Sequence, residues 1–260
     1  MGVLAAERIK LTSVKSPWWC SAIVIVAGLG LAWVTAHFSS NFDTEEFGGG
    51  GLTAEAVLGG VQLFGIMVLM VLAALIVTSE YRFGVIRNTF MAANNRSKVL
   101  VAKAGIAAIW SGVLVLVVSV VAVLIGRFVA GPVEGEALVL TNSDTLWSIG
   151  SLVVYAVLAS ILAVAIGSLV RQTAGAVTIV LLWPLLVENV LTALPRVGDH
   201  IMPFLPFLNI QYFLTGGRGF AGEMLAETFH WNYWGGLAYF VAVTAVIFGG
   251  ALVLLNKRDA

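Results

Sequence analysis

Long apolar runs separated by short polar segments dominate the chain. Four runs contain no charge and are long enough to cross a bilayer as helices, at 18–37, 57–79, 104–126 and 231–256; such a crossing takes about 20 apolar residues. The region 145–194 holds only two charges, Arg171 and Glu188. As one helix it would far exceed the roughly 30 Å hydrocarbon core. We therefore predict that the chain reverses at Arg171, which gives helices at 145–170 and 173–194 and six spanning helices.

The composition favours the same class. Hydrophobic residues make up 60% of the chain, charged residues 11%, and the mean hydropathy is +0.99, whereas a soluble domain is about 45–50% apolar. The predicted fold class is an all-α polytopic membrane protein with a single domain over 1–260. A single cysteine, Cys20, excludes an intramolecular disulfide.

The basic residues indicate the orientation. Lys and Arg in short loops stay mainly on the cytoplasmic side, and with six helices most of them fall on the side that holds both termini. The exceptions are Arg127, Arg196 and Arg218. We therefore predict that both termini are cytoplasmic. The formal net charge is zero, and nothing in the charge pattern indicates a nucleic-acid partner.

The charged segment 80–103 between the second and third helices has two interpretations. It can be a topogenic loop that attracts anionic lipid headgroups, at about 1 kcal/mol for each basic residue near the surface. However, Phe83, Ile86 and Phe90 recur at the spacing of one helical face. A short helix with this apolar stripe would bury it against the bilayer surface or a protein partner.

Three segments resemble type-2 ABC transporter permeases. Glu80-Tyr81-Arg82, the run 84–87 (Gly-Val-Ile-Arg) and the run 95–100 (Asn-Arg-Ser-Lys-Val-Leu) are similar to the loop between that family's second and third helices. Residues 6–11 (Ala-Glu-Arg-Ile-Lys-Leu) are similar to its elbow helix, and 256–260 (Asn-Lys-Arg-Asp-Ala) to its basic tail. The sequence departs from the family pattern at Val85, where Thr is more usual, and at 93–95, where a Pro is common.

The resemblance implies an interfacial elbow helix at 3–16 with Glu7, Arg8 and Lys10, a cytoplasmic coupling helix within the loop 80–103, and a re-entrant outer hairpin at 195–230. The coupling helix would dock on a separate ATPase subunit. The predicted coupling residues are Glu80, Tyr81, Arg82, Phe83, Ile86, Arg87, Phe90 and Arg96. Glu7 falls within the apolar stripe of the elbow, so we expect it either to pair with a coupling-loop arginine or to be solvated.

The resemblance also implies the assembly and its location. Two copies of an ABC ATPase would bind a pair of permeases, formed by a second copy of this chain or by a paralogue, among the lipids of the bacterial cytoplasmic (inner) membrane. Export as the direction of transport rests on the resemblance alone.

No catalytic or nucleotide-binding motif is evident. The sequence lacks the phosphate-binding pattern G-x-x-x-x-G-K-[ST] and the G-x-S-x-G pattern, so we expect no enzyme activity and no cofactor on this chain, with ATP and Mg on the partner. His37, His200 and His230 form no H-x-x-x-H pair, and we predict no metal site.

Glu188 is the one carboxylate well within an apolar run. Intramembrane ionisable groups usually face a bundle interior or water, so Glu188, with Asn189 and Gln62, is a candidate gate or pathway contact. Alternatively, Glu188 is structural and hydrogen-bonds Asn189 or the broken backbone near Pro184. In the family the second and fifth helices line the pathway. Here they are mainly apolar, which favours a hydrophobic or amphipathic small molecule, lipid or peptide as substrate.

Two other classes of function remain open. A secondary transporter predicts internal repeats and ionisable residues at mid-membrane, neither of which is evident in the sequence. A non-transporting membrane scaffold would need no ATPase partner.

Overall fold

Six helices in the described part of the chain are long and apolar enough to cross a membrane. The computed structural model describes residues 3–41, 52–86, 95–195 and 198–257, and all regular structure in these ranges is helical. The first to sixth spanning helices are Ser16–Ser39, Ala54–Arg82, Arg96–Pro132, Ser143–Val170, Thr173–Thr192 and Tyr233–Lys257. The predicted all-α fold with six spanning helices is confirmed.

An amino-terminal helix, Val3–Ser13, precedes the first spanning helix. The new helix begins at Ser16, and Pro17 is its second residue. A proline is favoured in the first turn of a helix, because its missing N–H would have no intrahelical acceptor there. The amino-terminal helix therefore lies at one end of a spanning helix. Its placement along a membrane face stays a prediction.

The second and third spanning helices extend beyond their apolar runs. The second begins after Thr53, whose Oγ1 accepts a hydrogen bond from the N–H of Ala56 at 3.2 Å, and it continues to Arg82. The third begins at Arg96, where Asn95 Oδ1 caps the helix by accepting from the N–H of Ser97 at 2.9 Å. The connection between them is therefore 83–95, shorter than the predicted 80–103.

The chain reverses at the predicted place. Arg171 and Gln172 are non-helical between the fourth and fifth spanning helices. Arg171 has a φ of 58°, which is the only positive φ of a non-glycine residue in the described ranges. This left-handed conformation ends the fourth helix and allows the fifth to return.

Both helices that the resemblance places along the pathway contain a π-helical segment. In the second helix it is Val61–Gly65 and includes Gln62. In the fifth it is Trp183–Val187 and ends just before Glu188. Pro184 has no N–H to donate, which explains the irregularity of the fifth helix. Such π-bulges are often found at functional sites.

The described part of the predicted outer hairpin begins with two short turns, Gly198–Ile201 and the 3₁₀ turn Met202–Phe204. Two ten-residue helices follow: the first short helix, Pro206–Thr215, and the second short helix, Gly219–Thr228. Gly216 and Gly217, with φ of 61° and 72°, form the turn between them. A methyl group on Gly236 would lie 2.5 Å from the carbonyl oxygen of Asn209, so only glycine lets the sixth helix approach the first short helix this closely. Re-entry into the membrane stays a prediction.

The chain forms two compact units. The first contains Met1–Pro17, Met70–Trp110 and Val157–Ala260, and the second contains Trp18–Leu69 and Ser111–Ala156. Within the first, a methyl on Gly167 would lie 3.0 Å from the Ala74 carbonyl oxygen, so the second and fourth helices pack closely here. All candidate site residues described below belong to the first unit, except Gln62.

Candidate functional site: a charge cluster beside the coupling segment

Four charged side chains join three helices, and we call them the charge cluster. Lys103 of the third spanning helix donates hydrogen bonds to Glu7 Oε2 of the amino-terminal helix and to Glu80 Oε1 of the second spanning helix, both at 2.7 Å. Lys10 donates to Glu7 Oε1 at 3.0 Å and to Glu80 Oε1 at 2.9 Å. The amino-terminal helix is therefore held to both helices that flank the connection 83–95, which we call the coupling segment.

Three members of the charge cluster are buried. The exposed fraction of the side chain is 2% for Lys103, 5% for Glu7 and 10% for Glu80, whereas Lys10 is 42% exposed. Buried charges are tolerated when they are paired and hydrogen-bonded. Here two carboxylates face two ammonium groups, so the charge cluster as a whole has no formal net charge.

Lys10 is charged at any physiological pH. Partial burial alone would lower the pKa of Lys10, but its hydrogen bonds to Glu80 and Glu7 outweigh that effect and raise the pKa above its ordinary value of 10.5. Because the pKa is higher in the folded protein, the stabilisation by Lys10 is complete below its ordinary pKa. It is lost only as the pH rises through the raised value.

Among the described residues, Glu7 pairs with two lysines, whereas the predicted alternatives were a coupling-loop arginine or solvent. Its partners are Lys10 and Lys103, and Lys103 is the last residue of the predicted loop. The third helix begins before Lys103, and helical spacing places this lysine on the same face as Val99 and Ala107, both 98% or more buried. That periodicity across the predicted loop boundary is the signal that the sequence analysis missed.

The described part of the coupling segment presents an aromatic side chain. Phe83 is 73% exposed, and the Arg82 guanidinium carbon lies 5.7 Å from its ring centroid, within cation–π range. Gly84 has a φ of 69° and turns the chain so that Ile86 is buried. Within the predicted apolar stripe, Phe83 is therefore exposed and Ile86 is buried. Phe90, the third member of the stripe, and the coupling residue Arg87 lie outside the described residues.

Tyr81 lies against the turn between the fourth and fifth helices. The guanidinium carbon of Arg171 is 5.2 Å from the Tyr81 ring centroid, in a cation–π contact. Glu80 and Tyr81 were predicted to contact an ATPase, and the structure places both against other helices of this chain. A direct ATPase contact by either residue stays a prediction.

The far end of the coupling segment is tied to the sixth helix. Ser97 Oγ and Asn256 are hydrogen-bonded, with Asn256 Nδ2 donating to Ser97 Oγ at 2.9 Å. Arg96, the first residue of the third helix, precedes Ser97 and is half-buried. Arg8 is exposed on the amino-terminal helix. Neither Arg96 nor Arg8 belongs to the charge cluster.

Glu188 lies in a separate site within the first unit. Its Oε1 accepts hydrogen bonds from Trp183 Nε1 at 3.1 Å and from the N–H of Phe207 at 3.0 Å, and its Oε2 accepts from the N–H of Leu208 at 2.9 Å. Phe207 and Leu208 are in the first turn of the first short helix, whose amide groups have no intrahelical acceptor. Glu188, only 3% exposed, therefore caps that helix from the fifth spanning helix.

As a structural residue, Glu188 was predicted to hydrogen-bond Asn189 or the backbone near Pro184, and the observed partners differ. Asn189, and not Glu188, satisfies the broken backbone, because its Nδ2 donates to the carbonyl oxygens of Pro184 at 3.3 Å and Leu185 at 2.9 Å. Asn209, which no sequence pattern singled out, is fully buried and accepts a hydrogen bond from Trp231 Nε1 at 3.0 Å. A role for Gln62, Glu188 or Asn189 in the pathway stays a prediction.

A metal site does not emerge from the described residues, in which no three His, Cys, Asp or Glu side chains are grouped suitably.

Comparison with protein families decides the class of the protein. Residues 3–186 match the model of the family described as ABC-2 family transporter protein. The chain belongs to this family. The matched part includes the charge cluster and the coupling segment, and it makes the protein a type-2 ABC transporter permease, a multi-pass membrane component that is not itself catalytic. Family membership implies an ABC ATPase as partner. No curated protein matches the permease.

Proposed function

We propose that this permease is the transmembrane subunit of an ATP-driven exporter and that a separate ABC ATPase docks on its coupling segment. The observation that carries the proposal is the exposed aromatic ring of Phe83 beside Arg82, on a segment whose two ends are fixed to other helices. Aromatic and arginine side chains are the commonest anchors of protein interfaces. ATP and Mg would be bound by the partner alone.

The attachments of the coupling segment suggest how docking would move the permease. A push on Phe83 would reach the amino-terminal helix through Glu80 and Lys103. It would reach the turn before the fifth helix through Tyr81 and Arg171. Because the fifth helix is proposed to line the pathway, movement at the ATPase would be transmitted to the substrate route.

The proposed substrate is a hydrophobic or amphipathic small molecule, lipid or peptide. The second and fifth helices offer mainly apolar side chains, and each has a π-helical segment at or next to its polar residue, Gln62 or Glu188. These segments are the proposed places where the pathway helices bend during alternating access.

The proposed assembly contains two ATPase subunits and two permeases, either two copies of this chain or one copy with a paralogue. It would lie in the bacterial cytoplasmic membrane. The basic residues support an orientation with both termini and the coupling segment in the cytoplasm.

Two variants test the docking site. We expect Phe83→Asp, and separately Arg82→Glu combined with Arg87→Glu, to weaken copurification of the ATPase by about tenfold or more, as for loss of an interface anchor. The measurement is the amount of ATPase, and of ATP hydrolysis, retained per permease purified in mild detergent. Phe220→Asp is the matched control, because Phe220 is 85% exposed but lies in the connection between the fifth and sixth helices.

The outcome separates the classes of function. Normal ATPase retention and coupled hydrolysis in both variants would remove the assignment of the docking site. A wild-type permease that transports without any ATPase would be a secondary transporter, and one that neither transports nor binds an ATPase would be a scaffold.

A further inference from the structure

A cavity of about 520 Å³ lies beside the charge cluster. Its walls come from the amino-terminal helix, the second and third spanning helices and the start of the coupling segment. They are mainly apolar, with Ile9 and Val14 on one side and Ile76 and Ile106 on the other. The volume lies within the roughly 300–1,000 Å³ of typical small-molecule sites.

Several of the apolar side chains that line this cavity are exposed. Ile9 is 47% exposed, Val14 53% and Val85 43%, and all three line the cavity. The amino-terminal helix ends at Ser13 and the first spanning helix begins at Ser16, so we expect this helix to lie near a membrane surface. The cavity would then open at the depth where lipid headgroups meet acyl chains.

The exposed charges beside the cavity are basic. Glu7, Glu80, Lys10 and Lys103 line the cavity and together carry no formal net charge. Lys10, which donates to Glu7 and Glu80, is the one of these four that keeps much of its side chain exposed, at 42%. Arg8 and Lys15 are exposed in the same part of the chain. Anionic headgroups are recognised by basic pockets of this kind between helices near a membrane surface.

We propose that this cavity binds one anionic phospholipid, with an acyl chain against the apolar walls and the phosphate next to the Lys10 ammonium group. The lipid would contact the amino-terminal helix and both helices that flank the coupling segment. Its presence would stabilise the arrangement that holds the coupling segment in place. The proposal does not depend on the direction of transport, and Phe83, the proposed ATPase anchor, also lines the cavity.

Native mass spectrometry of the full-length permease tests the site with dioleoyl phosphatidylglycerol and dioleoyl phosphatidylcholine as probes. We expect the wild type to retain one phosphatidylglycerol in preference to phosphatidylcholine. Ser13→Trp, which places a large ring in the cavity, should abolish this retention. Thr12→Trp is the matched control, because Thr12 is the neighbouring exposed residue of the same helix and does not line the cavity.

A second variant tests the charge. Lys10→Gln should reduce the preference for phosphatidylglycerol over phosphatidylcholine by about tenfold, which corresponds to the loss of one charge-assisted contact. Inorganic phosphate should not displace the lipid, since it lacks the acyl chain. Equal retention by Ser13→Trp and Thr12→Trp, an unchanged preference in Lys10→Gln, or displacement by inorganic phosphate would each overturn the proposal.

Discussion

Replacing Lys103 with methionine is expected to destabilise the permease by about 3–5 kcal/mol, the usual effect of removing one partner from a buried ion pair. Glu7 and Glu80 would remain buried with only the half-exposed Lys10 as their cation. The measurement is the free energy of unfolding in mixed micelles. Because the charge cluster positions both ends of the coupling segment, coupled ATP hydrolysis should fall as well.

Two further variants keep this prediction specific. Lys98→Met removes an exposed lysine from the same helix and should change stability by less than about 1 kcal/mol. Adding Glu7→Gln and Glu80→Gln to Lys103→Met removes the unpaired carboxylates and should recover much of the lost stability. A Lys103→Met variant as stable as Lys98→Met would show that the charge cluster does not hold these helices together.

Truncation of Glu188 should release the first short helix from the fifth spanning helix. Glu188→Ala leaves the N–H groups of Phe207 and Leu208 and the indole N–H of Trp183 without their acceptor. A fully buried donor left unpaired costs about 1–3 kcal/mol, and we expect less for each of these, since Phe207 and Leu208 are half-buried and Trp183 is 42% exposed. We expect faster hydrogen exchange at the Phe207 and Leu208 amides, measured by mass spectrometry, and a lower unfolding temperature.

Glu188→Gln separates the structural role from a pathway role. The glutamine keeps one acceptor oxygen, so it should show an intermediate exchange rate, and Glu223→Ala, at an exposed position of the second short helix, should leave exchange unchanged. If Glu188 acts only on substrate, Glu188→Gln would lose transport while exchange at Phe207 and Leu208 stays at the wild-type rate. That result would contradict the capping role.

The positions of the spanning helices could be predicted from sequence, because the bilayer imposes a minimum apolar length on each of them. The reversal at Arg171 followed from the same length limit. The ends of the second and third helices did not follow, since Glu80 and Lys103 interrupt the apolar runs like loop residues. These two charges are tolerated within buried helical turns because they pair with each other and with Glu7. Glu7 lies 96 positions from Lys103 in the sequence.

The two candidate sites were predictable to different degrees. Glu188 stood out as a lone intramembrane carboxylate, but two of its three partners are backbone amides about 20 positions away in a segment without regular periodicity. Backbone donors have no signature in the sequence, so this contact could not be foreseen. The contact between Tyr81 and Arg171 joins the end of the second helix to the turn between the fourth and fifth helices, two places that a single sequence does not bring together.

Cysteine accessibility tests the central claim, that the coupling segment and both termini share the compartment of the ATPase. In a Cys20→Ala background, Lys257→Cys at the end of the sixth helix and Glu223→Cys in the second short helix, both at exposed positions, are treated with an impermeant maleimide on intact cells. We predict that Glu223→Cys is labelled and that Lys257→Cys reacts only after the cells are opened. Labelling of Lys257→Cys on intact cells, with Glu223→Cys protected, would contradict the account.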